Sequence, residues 1–72
     1  MRNIDRALSY LRKLEIKHWS DEQRHKMIVD SIIALEKFGR TPEGFAFDQR
    51  NIKGLKGISL LAAARDEMKK YL

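Results

Sequence analysis

The residues best suited to chemistry lie in the last third of the chain, where basic side chains surround two glycines. Arg50, Lys53 and Lys56 are the basic residues, and Gly57 and Ser59 follow them. A glycine at the start of a helix lets backbone N–H groups come close to an anion, and the helix dipole favours negative charge there. Nearby lysines and arginines add attraction for a phosphate. These five residues therefore predict an anion site.

The stretch from Asp48 to Ala63, D-Q-R-N-I-K-G-L-K-G-I-S-L-L-A-A, resembles the helix-hairpin-helix motif of DNA-binding and DNA-repair proteins. Asp48 stands at the cap position of that pattern, Gly57 opens its hairpin, and Ala63 takes the small position. The apolar positions of the pattern are Ile52, Leu55 and Ile58. In that family, backbone N–H groups of the hairpin grip a DNA phosphate. The resemblance therefore implies DNA binding at this corner.

The sequence departs from the motif at several positions. Ser59 replaces the second hairpin glycine, Leu60 stands where the family often has a basic residue, and Asp66 stands where an apolar residue is expected. Gly54 weakens a first helix by roughly 1 kcal/mol relative to alanine. A purely structural interpretation stays open, in which Gly57 and Ser59 only make the bend between two helices.

The four residues Gly54 to Gly57 also match the G-x-x-G loop of KH RNA-binding domains. That fold needs flanking strands, which this sequence does not predict. The same residues are not a Walker motif, because no G-K-[ST] follows at the required spacing.

A second group of basic residues lies on the first predicted helix. Its polar face carries Arg6, Arg12, Lys13 and Lys17, and the whole chain has a net charge of +5 with a pI near 9.8. This charge favours an acidic partner such as nucleic acid, an anionic membrane or an acidic protein surface. A solvated helix face is the ordinary alternative. We expect Arg12 and Lys13 to assist phosphate binding.

The sequence offers little for catalysis. His18, Asp21, Glu22 and His25 have spacings that could gather metal ligands, but a predicted helix start at Ser20 separates the two histidines. Cysteine is absent, and the serines have no histidine partner in a recognisable motif. We expect no catalytic residues, no metal, no cofactor and no enzyme activity.

Helical spacing of apolar residues predicts the first half of the fold. A first helix, 4–17, is capped by Asn3, and a capping box of Ser20 and Gln23 starts a second helix at Asp21. The segment 27–38 is apolar over more than a third of its circumference, so we expect a central helix that is covered on two sides. Asp30 should lie on its open edge, paired with a basic residue, and Gly39 should end the helix in a left-handed conformation.

The second half predicts shorter elements. A turn over 40–44 leads into an extended link, 45–47, with one or both phenylalanine rings in the core. Asp48 would cap a short helix over 49–55, and a last helix would cover 60–72. Leu61, Ala64 and Met68 should face inward on that helix, and Arg65, Asp66, Glu67, Lys69 and Lys70 outward. The prediction is one all-α domain: a small bundle of three to four helices whose first two are antiparallel.

Surplus aromatic residues support a different function. Tyr10, Trp19, Phe45 and Phe47 are a large apolar complement for short helices to hide, and exposed aromatics typically mark an interface. We expect Trp19 to lie half-buried over the junction of the first two helices, where it could also anchor a partner. The alternative function is therefore a protein-interaction module, a small inhibitor or adaptor that docks on a larger enzyme, or a homodimer.

No apolar run approaches the ~20 residues that span a bilayer, and the N-terminus lacks an apolar signal region. We expect a soluble, cytoplasmic protein without a membrane partner. The first functional prediction is a small basic nucleic-acid-binding protein, regulatory or accessory, with DNA favoured over RNA.

Overall fold

The computed structural model describes residues 2–50, 52 and 54–71, and it confirms the predicted all-α class. The described residues form four helices and no strand. These helices are α1 (Asn3–Lys17), α2 (Glu22–Gly39), α3 (Pro42–Gln49) and α4 (Gly57–Lys69).

Helix α1 is the element on which the others assemble. It packs against α2, α3 and α4, and its apolar stripe is almost completely buried. The prediction of α2 as a central helix covered on two sides is wrong, because Met27 is 70% exposed and Ile33 is 47% exposed. One face of α2 therefore contributes to the core, and the other lies open.

A single apolar core joins all four helices. Helix α3 contributes one buried ring, Phe47, which lies 6.4 Å from the ring of Phe38 between centroids. The other buried apolar residues are Ile4, Ala7, Leu8 and Leu11 of α1, Ile28, Ile32 and Leu35 of α2, and Leu60, Leu61 and Ala64 of α4. Tyr10, Leu14, Ile52, Leu55 and Met68 pack against this core while partly exposed.

The ends of α2 differ from the prediction. The residue that caps its start is Asp21, whose Oδ1 accepts a hydrogen bond from the Arg24 N–H at 3.1 Å, and not Ser20. Aspartate caps a helix as well as serine does. The sequence therefore contains two adjacent N-cap candidates, Ser20 and Asp21, and the helix uses the second. Gly39 is still helical and has no left-handed backbone; Arg40 is the C-cap.

The predicted turn and extended link over 40–47 are wrong, because this segment forms helix α3. Thr41 caps it, accepting a hydrogen bond from the Gly44 N–H at 3.0 Å, and Pro42 occupies the first helical position. A threonine followed by proline is a strong helix-start signal. This signal, with burial of Phe47, outweighs the strand-like alternation of the two phenylalanines.

The predicted short helix over 49–55 is also wrong. Helix α3 ends at Gln49, and the described residues between it and α4 are not helical. Gly54 has a left-handed φ of 88°, which breaks any helix here. Helix α4 starts at Gly57, earlier than predicted, which leaves Ile58 63% exposed and outside the core.

The start of α1 is fastened to the end of α3. Asn3 is buried and does not cap α1; its Nδ2 donates to the backbone oxygens of Phe47 and Arg50, both at 2.9 Å. Asp48 caps α1 instead, because its Oδ1 accepts from the Ile4 N–H at 2.9 Å. This cap, supplied from 44 residues away, joins the start of α1 to the end of α3.

We expect Asn3→Ala to destabilise the fold by about 1–3 kcal/mol, because the Phe47 and Arg50 carbonyl groups would each keep only a backbone donor and the link between α1 and the end of α3 would be lost. Chemical denaturation followed by circular dichroism measures this loss. Gln23→Ala, at an exposed position, is the control and should change stability by less than about 0.5 kcal/mol. Equal stability of the two variants would contradict the proposed role of Asn3.

An exposed ion pair completes this end of α1. The hydrogen bond from Arg2 lowers the pKa of Asp5, and the same hydrogen bond, with the charges of Asp5 and Asp48, raises the pKa of Arg2. A lowered carboxyl pKa stabilises the fold above the unfolded pKa and loses that contribution as the pH falls through the folded pKa. The contribution is small because the pair is exposed to solvent.

Candidate phosphate-binding corner

A shallow groove of about 330 Å³ lies where α1 passes the start of α4. Helix α1 supplies Arg6, Ser9, Tyr10 and Lys13, which share one face because their spacing is i, i+3, i+4 and i+7. The other wall consists of Lys56, Gly57 and Leu60. We call this groove the basic corner. Three cationic side chains, Arg6, Lys13 and Lys56, line it.

The start of α4 opens at the basic corner and has no cap from a side chain. Lys56 occupies the N-cap position, and the first turn holds no acidic residue. The Ser59 N–H reaches the Lys56 carbonyl at 3.2 Å. A cation beside the positive end of a helix dipole is unfavourable, and a bound anion would offset that repulsion.

Gly57 is required at this position because its φ of 55° lies in the left-handed region. A Cβ there would lie 3.4 Å from Cε1 of the Tyr10 ring, in ordinary contact with α1. The backbone therefore turns into α4 in close contact with α1. This close approach brings Lys13 of α1 and Lys56, which precedes α4, to the same groove.

Arg6 holds the loop that precedes α4. Its guanidinium donates a hydrogen bond to the Leu55 backbone oxygen at 2.5 Å. The arginine therefore both positions the loop and contributes positive charge to the basic corner.

The structure brings together only part of the predicted anion site. Lys13, Lys56 and Gly57 line the basic corner, and exposed Ser59 lies in the first turn of α4. Lys53 lies outside the described residues. Arg12 lies away from the corner and pairs with Glu36 at 3.1 Å. Its contribution to phosphate binding is therefore not supported by its position.

Arg50 is held by a buried carboxylate. Its two terminal nitrogens each lie 3.1 Å from an oxygen of Glu67, and Lys70 Nζ lies 3.3 Å from the same carboxylate. Glu67 is only 6% exposed, so its predicted outward position is wrong. The bidentate pair joins the end of α3 to α4, which explains why Arg50 is structural here.

Sequence reasoning placed Arg6 on the basic face of the first helix but did not name it as a site residue. It missed Ser9 and assigned Tyr10 to a protein interface. The spacing of these residues with Lys13 was a readable signal of a shared helix face. What the sequence could not provide is the contact between that face and Gly57, 47 positions after Tyr10 in the chain.

The predicted partner-binding aromatics do not form one surface. Phe47 is 1% exposed and belongs to the core, so its assignment to an interface is wrong. Trp19 is 71% exposed, not half-buried, and contacts the His25 ring edge-on at 5.0 Å between centroids. Phe45 is 59% exposed, but the 18 residues of α2 separate it from Trp19, about 27 Å along the helix axis.

Other kinds of site find no support among the described residues. No group of three or more histidine, aspartate or glutamate side chains there could hold a metal ion. His25 Nε2 lies 3.3 Å from a Glu15 oxygen. In the described part of the chain, every helix is too short or too polar to cross a bilayer.

Comparison with protein-family models, with curated proteins and with solved structures found no match. A functional assignment for this chain therefore depends on its own residues and their geometry.

Proposed function

We propose that this chain is a small nucleic-acid-binding protein that contacts backbone phosphates through the basic corner. The observation that carries this proposal is the convergence of Arg6, Lys13 and Lys56 on the uncapped start of α4. A phosphate seated there would receive charge from two elements and hydrogen bonds from backbone N–H groups. This is the kind of contact that the helix-hairpin-helix resemblance implies, made here by a loop and one helix.

Such binding would be electrostatic and independent of base sequence. The groove lining offers cations and hydroxyl groups and no extended surface that could enter a DNA groove, so phosphate contacts would dominate. The net charge of +5 would add long-range attraction to a polyanion. Duplex DNA is the first probe because the motif resemblance favours DNA.

The test is fluorescence anisotropy with a short random duplex over a salt series. Contacts from the three cations predict a slope of log affinity against log salt of about −2 to −3. Binding that is absent at low salt would overturn the proposal. Binding with a slope near zero would exclude phosphate contacts as its basis.

A protein-interaction module is the second candidate, and the exposure of Trp19 and Phe45 favours it. An isolated exposed tryptophan is a common interface anchor. Trp19 fluorescence distinguishes the two candidates. A spectral shift on adding a candidate protein, with none on adding duplex, would support docking through this end of the helices.

A further inference from the structure

The face of α2 that points away from α1 carries a regular pattern of exposed residues. Four exposed residues follow the i, i+3, i+7 and i+10 spacing at which packed helices contact each other. We call them the seam: Met27, Asp30, Ala34 and Lys37. Ile33 is 47% exposed on the flank of this seam. Two of the four seam residues, Met27 and Ala34, are apolar, and with Ile33 they give an otherwise solvated face apolar surface that could pack against another helix.

A trough runs beside this seam, between α2 and α4. It consists of two adjoining cavities of about 500 and 240 Å³ that share Ala34 and Met68 as lining residues. Leu35, Phe38 and Leu61 also line it. The lining thus combines apolar side chains with the charged residues Asp30, Lys37, Glu43 and Arg65, and the chain itself does not fill the trough.

The charges on the seam determine which partner fits it. Along α2, Asp30 and Lys37 lie equally far on either side of the midpoint between Ile33 and Ala34. In an antiparallel pair of α2 helices centred on that point, each Asp30 lies opposite Lys37 of the second copy, and two ion pairs form by symmetry. A parallel pair would place identical charges together. Among the described residues, neither Asp30 nor Lys37 forms an ion pair within its own chain.

We infer that two copies of this chain form a twofold dimer through antiparallel α2 helices. Ala34 lies near the axis, where its small side chain permits close approach of the backbones. Ile33, on the flank of the seam opposite the trough, meets Ile33 of the second copy beside the axis, and the two α2–α4 troughs face each other. The predicted ion pair of Asp30 with a basic residue is thereby made between copies. This inference is independent of nucleic-acid binding.

Sedimentation equilibrium without nucleic acid tests the dimer, over concentrations from micromolar to millimolar. We expect a mass that rises from 8.5 kDa toward twice that value as concentration increases. Asp30→Lys should weaken the dimer about tenfold, because it creates two like-charge contacts, and Lys37→Asp should do the same. The double variant Asp30→Lys/Lys37→Asp should restore the wild-type dissociation constant to within about threefold, since it exchanges the two charges.

Asp66→Lys is the matched control, since it makes the same charge change on exposed α4 away from the trough lining. It should leave dimerisation unchanged. Both seam positions are exposed, so circular dichroism should show wild-type helicity in every variant. A monomer at all concentrations would overturn the inference, as would a dimer that the single variants do not weaken or the double variant does not restore. Ala34→Arg provides an independent steric test and should leave the chain monomeric.

Discussion

The variant Lys13→Glu/Lys56→Glu is expected to bind duplex DNA about 100-fold more weakly than the wild type at low salt. Lys13 comes from α1 and Lys56 from the N-cap of α4, and both line the groove at the uncapped start of α4. Glutamate at both positions replaces attraction for a phosphate with repulsion and leaves only Arg6 and the helix dipole to favour the anion. Anisotropy titration measures the change, and the magnitude of the salt slope should fall by about 2.

The matched control is Lys17→Glu/Lys69→Glu. Both double variants lower the net charge from +5 to +1, because each exchange of lysine for glutamate removes two units. Lys17 and Lys69 are exposed and do not line the basic corner. We expect the control to weaken binding only about threefold, through the loss of long-range attraction. Equal losses in the two variants would show that net charge alone governs affinity and that the corner has no special role.

Thermal unfolding separates a loss of binding from a loss of fold. Lys13 and Lys56 are exposed, and neither forms an ion pair among the described residues. The corner variant should therefore keep the wild-type unfolding temperature to within a few degrees. Removing Lys56 from the positive end of α4 should if anything stabilise that helix, and glutamate there should do so further.

The sequence predicted the long helices because their apolar residues repeat at helical spacing over many turns. The stripe of Ile4, Ala7, Leu8 and Leu11 identified α1 and its buried face correctly. It did not indicate which helix is central. That property depends on how many neighbours surround an element, and a wide apolar face, as on α2, can equally belong to an open surface.

The short elements were mispredicted because local signals conflict there. The phenylalanines at 45 and 47 alternate as in a strand, yet Thr41 and Pro42 start a helix. Asp48 was interpreted as a local cap, and it does cap a helix, but that helix is α1. Sequence spacing cannot reveal a cap that acts across the fold, since only the tertiary structure brings Asp48 to Ile4.

Only the part of the basic corner near the start of α4 could be predicted, because its contact with α1 also depends on the tertiary structure. The charges and glycines after Asp48 indicated an anion site at the start of the last helix, and Lys56 and Gly57 do lie there. The contribution of α1 was identified only through Lys13, as general positive charge. Arg50 could not be recognised as structural from sequence, because its partner Glu67 was expected on the solvent side of α4.

Gly44→Ala is expected to produce the largest loss of stability, about 3 kcal/mol or an unfolding temperature lower by roughly 12–20 °C. Gly44 is buried where α3 turns back against the end of α2. A Cβ at this position would overlap the backbone oxygen of Phe38 and lie 2.8 Å from its carbonyl carbon. Backbone cannot rotate away as a side chain can, so α3 must move. That movement would displace Phe47 from the core and strain the Asn3 and Asp48 hydrogen bonds that fasten α1.

Gly39→Ala is the control for this variant, because it makes the same chemical change five residues earlier in the chain. A Cβ at Gly39 would lie 3.4 Å from Cγ2 of Ile4, an ordinary contact with a side chain. Alanine also favours the helical conformation that Gly39 already has, by up to about 1 kcal/mol. We therefore expect the control to unfold at the wild-type temperature or above it. If both variants unfolded near the wild-type temperature, α3 would not approach α2 as closely as described, and the anchoring of α1 through Asp48 would need another explanation.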